Sequence, residues 1–281
     1  MLSFGHRRMS GHGSKSRIVS EKVTLVTGAS AGIGAELARV FAAKGHRVAL
    51  VARREDRLHA LAQELAATGA PGRRFAPIVI PCDLTAPDAA DRIATALTDA
   101  GVEVEYLVNN AGFGLFGRAC KLDRAEQLDM IAVNVRSLTD LSLRFTDQLI
   151  KHRGGMLNLG SVAGFLPGPG MAVYYASKAY VNSFSEALHK ELAPNGVRVT
   201  VLCPGPVPSE FQARAGFKPG VDSAILNRSP RAVAEAGYRG LMSGKRVVLP
   251  GLGIKIVPFM LRWFPRGFIL DAVGRLQLRR I

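Results

Sequence analysis

The sequence predicts an α/β fold: a doubly wound, seven-stranded, mostly parallel sheet with helices on both faces and a C-terminal helical extension. Three observations predict it. Short apolar runs alternate with helix-like segments across residues 21–250, with no linker between them. Gly28, Gly32 and Gly34 fall between the strand-like Val23–Val26 and the helix-like Ala35–Lys44. Tyr174 and Lys178 stand at i and i+4 in a helical stretch, on one face and a turn apart.

The elements follow in order. His46 to Ala52 reads as the second strand and Glu55 to Thr68 as a helix, ended by Gly69-Ala70-Pro71-Gly72. Phe75 to Pro81 reads as the third strand and Ala86 to Ala100 as a helix. Tyr106 to Asn109 is a fourth strand, and a single long helix is expected from Arg124 to Arg153. Asn134 lies inside that helix, where asparagine is unfavourable, so it needs a reason to be there. Met156 to Ser161, Val197 to Cys203 and Lys245 to Leu249 read as the remaining strands, with a helix from Val173 to Leu192.

The chain has 281 residues and is 48% hydrophobic, enough for a substantial core in one domain. Cys82, Cys120 and Cys203 are widely spaced, which argues against a disulfide scaffold or a zinc site and suggests a reducing cytoplasm. The net charge is +15. Residues 1–20 carry Arg7, Arg8, Lys15 and Arg17 with no acid and no apolar run, which reads as a disordered basic leader or an upstream start, not a signal peptide. No nucleic-acid module is visible and aromatics are few, so nucleic acid is not an expected partner.

The chemistry gathers at Ser161, Tyr174 and Lys178. A phenol is a poor base at neutral pH, with a reference pKa of roughly 10. An ammonium one turn away is expected to favour the phenolate and prepare the tyrosine for acid–base work. Ser161 can offer a hydroxyl to the same reacting oxygen. A serine hydrolase is excluded because Leu159 stands where a nucleophile elbow needs glycine. Tyr175 points about 100° away round the helix, and Tyr180 lacks a lysine four residues on, so both read as packing or interface residues.

Taken together, Thr27-Gly28-Ala29-Ser30-Ala31-Gly32-Ile33-Gly34, Cys82-Asp83-Leu84, Asn109-Asn110-Ala111-Gly112, Asn134, Ser161, Tyr174/Lys178 and Cys203-Pro204-Gly205 resemble the short-chain dehydrogenase/reductase family. The resemblance covers about residues 21–210. It implies a Rossmann fold and hydride transfer with a nicotinamide cofactor. Residues Gly28, Ser30, Gly32, Ile33, Gly34, Asp83, Asn110, Pro204, Gly205, Val207 and Ser209 would hold that cofactor, with Asp83 at the adenine and the Ser209 hydroxyl at the carboxamide. The same resemblance casts Tyr174 as general acid, Ser161 as hydrogen-bond donor to the substrate oxygen, Lys178 at the nicotinamide ribose, and Asn134 at a kink holding a water. It also suggests a homodimer or homotetramer.

Cofactor choice follows from charge. The second strand ends at Ala52 with Arg53 and Arg54, where an NAD enzyme usually has an acid. Two guanidiniums suit a 2′-phosphate, so NADP(H) is expected over NAD(H). The alternative is that they are solvated charges opening a helix with Glu55 and Asp56, and Ala31 stands where NADP-using relatives often have a base.

Residues 206–228 are expected to form a lid. Phe113, Leu115, Phe165, Leu166, Met171, Phe211 and Phe217 are candidates for an apolar pocket or for plain core, and favour an apolar carbonyl or alcohol. Residues 252–281 are apolar and basic with the single tryptophan, Trp263, and read either as a membrane-surface segment or as a helix pair capping the site or a subunit interface. The leading expectation is an NADP(H)-dependent carbonyl reductase. A catalytically silent nucleotide-binding regulator or scaffold is the other class.

Overall fold

The structure, a computed structural model, describes residues 21–68, 76–207, 228–251 and 263–278. The expected leader, most of the lid, Ser209, Phe211, Phe217, the Gly69–Gly72 stop and residues 252–262 lie outside the described residues.

Each strand but the last is joined to the next by a helical crossover. The order is β1 (Glu21–Thr27), α1 (Gly32–Ala43), β2 (Val48–Ala52), α2 (Glu55–Thr68), β3 (Ile78–Pro81), α3 (Ala89–Asp99) and β4 (Val102–Asn109). Then come α4 (Arg124–Ile131), α5 (Leu138–Arg144), α6 (Thr146–His152), β5 (Gly155–Leu159), α7 (Ala172–Leu192) and β6 (Arg198–Leu202). The chain continues through α8 (Pro230–Met242), β7 (Val247–Val248) and α9 (Arg266–Leu278). The sheet order is β3-β2-β1-β4-β5-β6-β7, and all six pairings are parallel.

Neighbouring strand residues face opposite layers, so doubled apolar residues build two cores. Leu25, Leu107 and Met156 pack with Ile93, Leu141, Leu149 and Leu188 under α3, α5, α6 and α7. Val26, Val108 and Leu157 pack with Leu37, Phe41, Leu58 and Val233 under α1, α2 and α8. The strand order reverses between β1 and β4. In open α/β sheets a ligand crevice forms at the carboxyl ends of the strands beside such a reversal, and the glycine turn after β1 and Asn110 after β4 both lie there.

The single long helix expected over 124–153 is three shorter ones. A π-helical segment, Ala132–Ser137, encloses Asn134. Further on, Ser142 Oγ donates to the Leu138 carbonyl at 2.6 Å and Thr146 Oγ1 to the Ser142 carbonyl at 2.8 Å. Such back-bonding bends helices, and the break falls at Phe145, with φ −94° and ψ 2°. Helix α8 has no counterpart in the sequence reading, although Ser229 caps it through Ala232 N at 3.2 Å and Pro230 opens it.

Candidate functional site

The glycine turn is held tightly to the end of β4. Asn110 Nδ2 donates to the carbonyls of Thr27 at 2.9 Å and Gly28 at 3.3 Å. Thr27 Oγ1 accepts from the backbone N–H groups of Asn110 at 3.0 Å and Ala111 at 3.1 Å. A Cβ on Gly34 would fall 2.3 Å from both Asn110 Nδ2 and the Gly28 carbonyl, and Gly28 itself sits at φ +67°. Helix α1 starts with Ala31 as N-cap, no side-chain cap and no acid in its first turn. Its free N–H groups and positive dipole end suit an anion, which fits the pyrophosphate of a dinucleotide.

Arg54 lies over this turn, donating to Ser30 Oγ from Nε at 3.2 Å and from Nη2 at 3.1 Å. Arg53 is more exposed, with Nη1 3.9 Å from Asp83 Oδ2. Asp83 Oδ1 accepts from the Thr85 N–H and hydroxyl, both at 3.0 Å, which fixes the loop after β3.

Ser161, Tyr174 and Lys178 come together at the ends of β5 and α7. Tyr174 shares a hydrogen bond with Ser161, but burial outweighs it and pushes the phenol up to about 12. The expected lowering by the neighbouring ammonium is not seen: burial raises the phenol, the Ser161 hydrogen bond opposes it, and Lys178 makes no contribution. Lys178 is itself pulled down to about 8 by burial. Its Nζ donates to the Leu159 carbonyl at 2.6 Å and lies 6.0 Å from the Tyr174 ring centroid.

Asn134 bridges this group to the loop after β4. It accepts from Phe113 N at 3.1 Å and donates to the Phe113 carbonyl at 3.0 Å and to Ser177 Oγ at 3.0 Å. Ser177 Oγ in turn donates to the Tyr174 carbonyl at 2.7 Å. A Cβ on Gly112 would sit 2.9 Å from Asn134 Oδ1 and 3.5 Å from Lys178 Nζ, so the missing side chain leaves room beside both. Asn109 plays a different part. It donates to Ser142 Oγ at 3.0 Å and Asn158 Oδ1 at 2.9 Å, and Asn158 donates to Ser185 Oγ at 2.9 Å, a buried polar ladder across β4, β5 and α7.

Asn182, one turn beyond Lys178, was missed in the sequence. It is buried, donates to the Ser161 carbonyl at 3.1 Å and accepts from Cys203 Sγ at 3.3 Å. The reasoning that singled out Asn134, an asparagine inside a helix, applies equally to it. The Pro204 carbonyl accepts from Val162 N at 3.1 Å, bringing Pro204, Gly205 and the buried Val207 beside the Ser161 turn. Phe113 and Leu115 form a buried cluster with Met130, flanked by Val173 and Tyr174. Met171 is buried, whereas Phe165 and Leu166 are half-buried.

Tyr175 and Tyr180 have structural partners. Tyr175 accepts from Gln277 Nε2 of α9 at 2.6 Å. Tyr180 stacks on Phe184 and shares a hydrogen bond with Thr139 at 2.9 Å.

This geometry has close counterparts. The short chain dehydrogenase family profile matches residues 22–218. The chain belongs to the short-chain dehydrogenase family. It is 36% identical to a sulfoacetaldehyde reductase of Chromohalobacter salexigens over 218 residues, covering 76% of this chain and 79% of that one. Among solved structures, a short-chain dehydrogenase from Sphingobium yanoikuyae in complex with NADPH is 30% identical, with a TM-score of 0.75 over 92% of this chain and 96% of that one. A bulky-bulky ketone specific alcohol dehydrogenase from Comamonas testosteroni is 28% identical, with a TM-score of 0.70 over 93% of this chain and 95% of that one. Membership makes this short-chain dehydrogenase an oxidoreductase of alcohols and carbonyls that works with a nicotinamide nucleotide.

Proposed function

We propose that this short-chain dehydrogenase interconverts an apolar carbonyl compound and its secondary alcohol with NADP(H), using Tyr174 as general acid and base. The observation that carries the reading is the hydrogen bond between Ser161 and Tyr174, with the buried Lys178 one turn along the same helix. Bound NADPH supplies the hydride. The chain supplies everything else. Tyr174 is protonated at neutral pH, the state needed to give a proton to a carbonyl oxygen as it becomes an alcohol. Ser161 Oγ lies within hydrogen-bond reach of the same phenol, so an oxygen taking the Tyr174 proton can also accept from Ser161 and have its developing charge stabilised. Lys178 holds the ribose hydroxyls of the nucleotide and keeps positive charge near the phenol. Asn134 fixes the π segment against the Phe113 loop and α7, and would hold a water linking Lys178 to solvent.

The glycine turn, Ile33, Asp83, Asn110, Pro204, Gly205 and Val207 would form the nucleotide's cradle. The 2′-phosphate falls to Arg53, Arg54 and Ser30. Arg54 is already aligned on the Ser30 hydroxyl, so a phosphate there meets a preset donor set. The apolar surroundings of Tyr174, Phe113, Leu115 and Val173 favour an apolar substrate, as does likeness to an alcohol dehydrogenase named for bulky ketones. Leu128 and Ile131 on α4, Leu143 on α5 and Tyr180 on α7 are exposed apolar side chains, and they support assembly as a homodimer or homotetramer.

Titrating NADPH and NADH side by side, through the nucleotide's own fluorescence, tests the cofactor reading. Tighter NADPH binding by about tenfold or more is expected from charge-assisted hydrogen bonds to the extra phosphate. Equal affinities would contradict it.

A further inference from the structure

Ser161 lies beyond the end of β5, whose pairing with β6 runs only as far as Leu159 and Leu202. The sheet ladder therefore does not hold its peptide groups, and side chains take over. Asn182 of α7 and Cys203, just after β6, do this. Asn182 Nδ2 donates to the Ser161 carbonyl at 3.1 Å, and Cys203 Sγ donates to Asn182 Oδ1 at 3.3 Å. A backbone hydrogen bond from Ser161 reaches Cys203 and closes the ring.

The ring has one consistent polarity. A carbonyl only accepts, so the amide nitrogen of Asn182 must face Ser161. The amide oxygen then faces Cys203 and also only accepts, so the sulfur must carry its proton. Burial keeps that proton on, pushing the thiol up to about 12. Asn182 and Cys203 are both buried, so the ring works at low local dielectric.

The fit is close on both sides of the serine. A Cβ on Gly160 would fall 2.2 Å from Asn182 Oδ1, and one on Gly164 2.4 Å from Asn182 Nδ2. The two glycines let the amide seat directly against the turn. Ser161 Oγ accepts from Ala163 N at 3.1 Å and shares a hydrogen bond with Tyr174. Moving the Ser161 peptide would move this hydroxyl with it.

We propose that Asn182, oriented by the Cys203 thiol, is a positioning residue: it holds the Ser161 peptide so that the hydroxyl meets the oxygen taking the Tyr174 proton. The inference rests on the catalytic reading of Ser161 and Tyr174.

The test is kcat with saturating NADPH and the aryl ketone turned over fastest, with NADPH affinity and the melting midpoint recorded for each variant. Asn182→Ala should lower kcat about ten- to a hundredfold, the scale for a misplaced reacting group, with NADPH affinity within about threefold of wild type. Cys203→Ala should lose about threefold or more, and Cys203→Ser, which keeps a donor, should recover most of it. In a Ser161→Ala background, Asn182→Ala should cost less than about threefold further, because the hydroxyl it positions is gone. Ser185→Ala removes other buried hydrogen bonds of the same helix. It should lower the midpoint and leave kcat within about threefold. Asn182→Ala with wild-type kcat beside a slow Ser161→Ala would overturn the proposal alone. So would an equal fold-loss from Asn182→Ala in both backgrounds, or a kcat loss in Ser185→Ala as large as that in Asn182→Ala. Wild-type turnover in Ser161→Ala would overturn the catalytic reading and the proposal with it.

Discussion

Lys178 lies one turn from Tyr174, yet its Nζ is directed to the Leu159 carbonyl at 2.6 Å and stays 6.0 Å from the tyrosine ring centroid. Burial sets both side chains and moves both towards neutrality. The tyrosine is raised to about 12 and the lysine lowered to about 8.

This burial has a consequence for stability. Lys178 falls from 10.5 to about 8 on folding. Below the folded value both states carry the charge and the folded chain bears the desolvation cost. Between the two values the unfolded chain binds more protons, so stability from this group rises with pH. Tyr174 acts in the opposite sense at higher pH, because its raised value makes stability fall between 10 and about 12. Urea denaturation of wild type and Lys178→Met, followed from neutrality to about pH 10, should show wild type gaining on the variant as pH rises. Two curves that stay parallel would count against the buried charge.

Arg54→Ala should raise the KM for NADPH by about ten- to a hundredfold, the range for losing a hydrogen bond to a charged group, and leave the KM for NADH within about threefold. Steady-state kinetics with each nucleotide reads the ratio. Equal losses with both would mean that Arg54 orders the Ser30 turn but does not read the phosphate.

Gly34→Ala places a Cβ 2.3 Å from the Gly28 carbonyl and the Asn110 amide. The backbone carbonyl cannot swing aside, so the turn must move away from β4. An overpacking cost of about 1–3 kcal/mol is expected, seen as a melting midpoint lower by several degrees, together with weaker nucleotide binding. An unchanged midpoint would show that the turn is looser than its hydrogen bonds indicate.

The sheet was legible because each strand is a short apolar run bounded by glycine, proline or charge, and doubled residues such as Leu107 and Val108 point to separate cores. The turn and the Tyr174/Lys178 pair were legible because their spacings are local. What escaped depends on distant partners. The π segment within the 124–153 stretch goes with Asn134 reaching Phe113 and Ser177, and the break at Phe145 with hydroxyls turned back on the helix. The upward shift of Tyr174 is a matter of burial, which no i, i+4 spacing encodes. Asn182 shows its role only once α7 is laid against Ser161 and Cys203.

The most direct test compares two adjacent tyrosines. Tyr174→Phe and Tyr175→Phe each remove one hydroxyl, the first from Ser161 and the second from Gln277. The measurement is kcat with NADPH over a panel of aryl ketones, with NADPH affinity recorded for each variant. Tyr174→Phe should lose about a hundred- to ten-thousandfold in kcat with nucleotide affinity unchanged, while Tyr175→Phe stays within about threefold of wild type. Comparable turnover in Tyr174→Phe and wild type would remove Tyr174 from the chemistry and contradict the account.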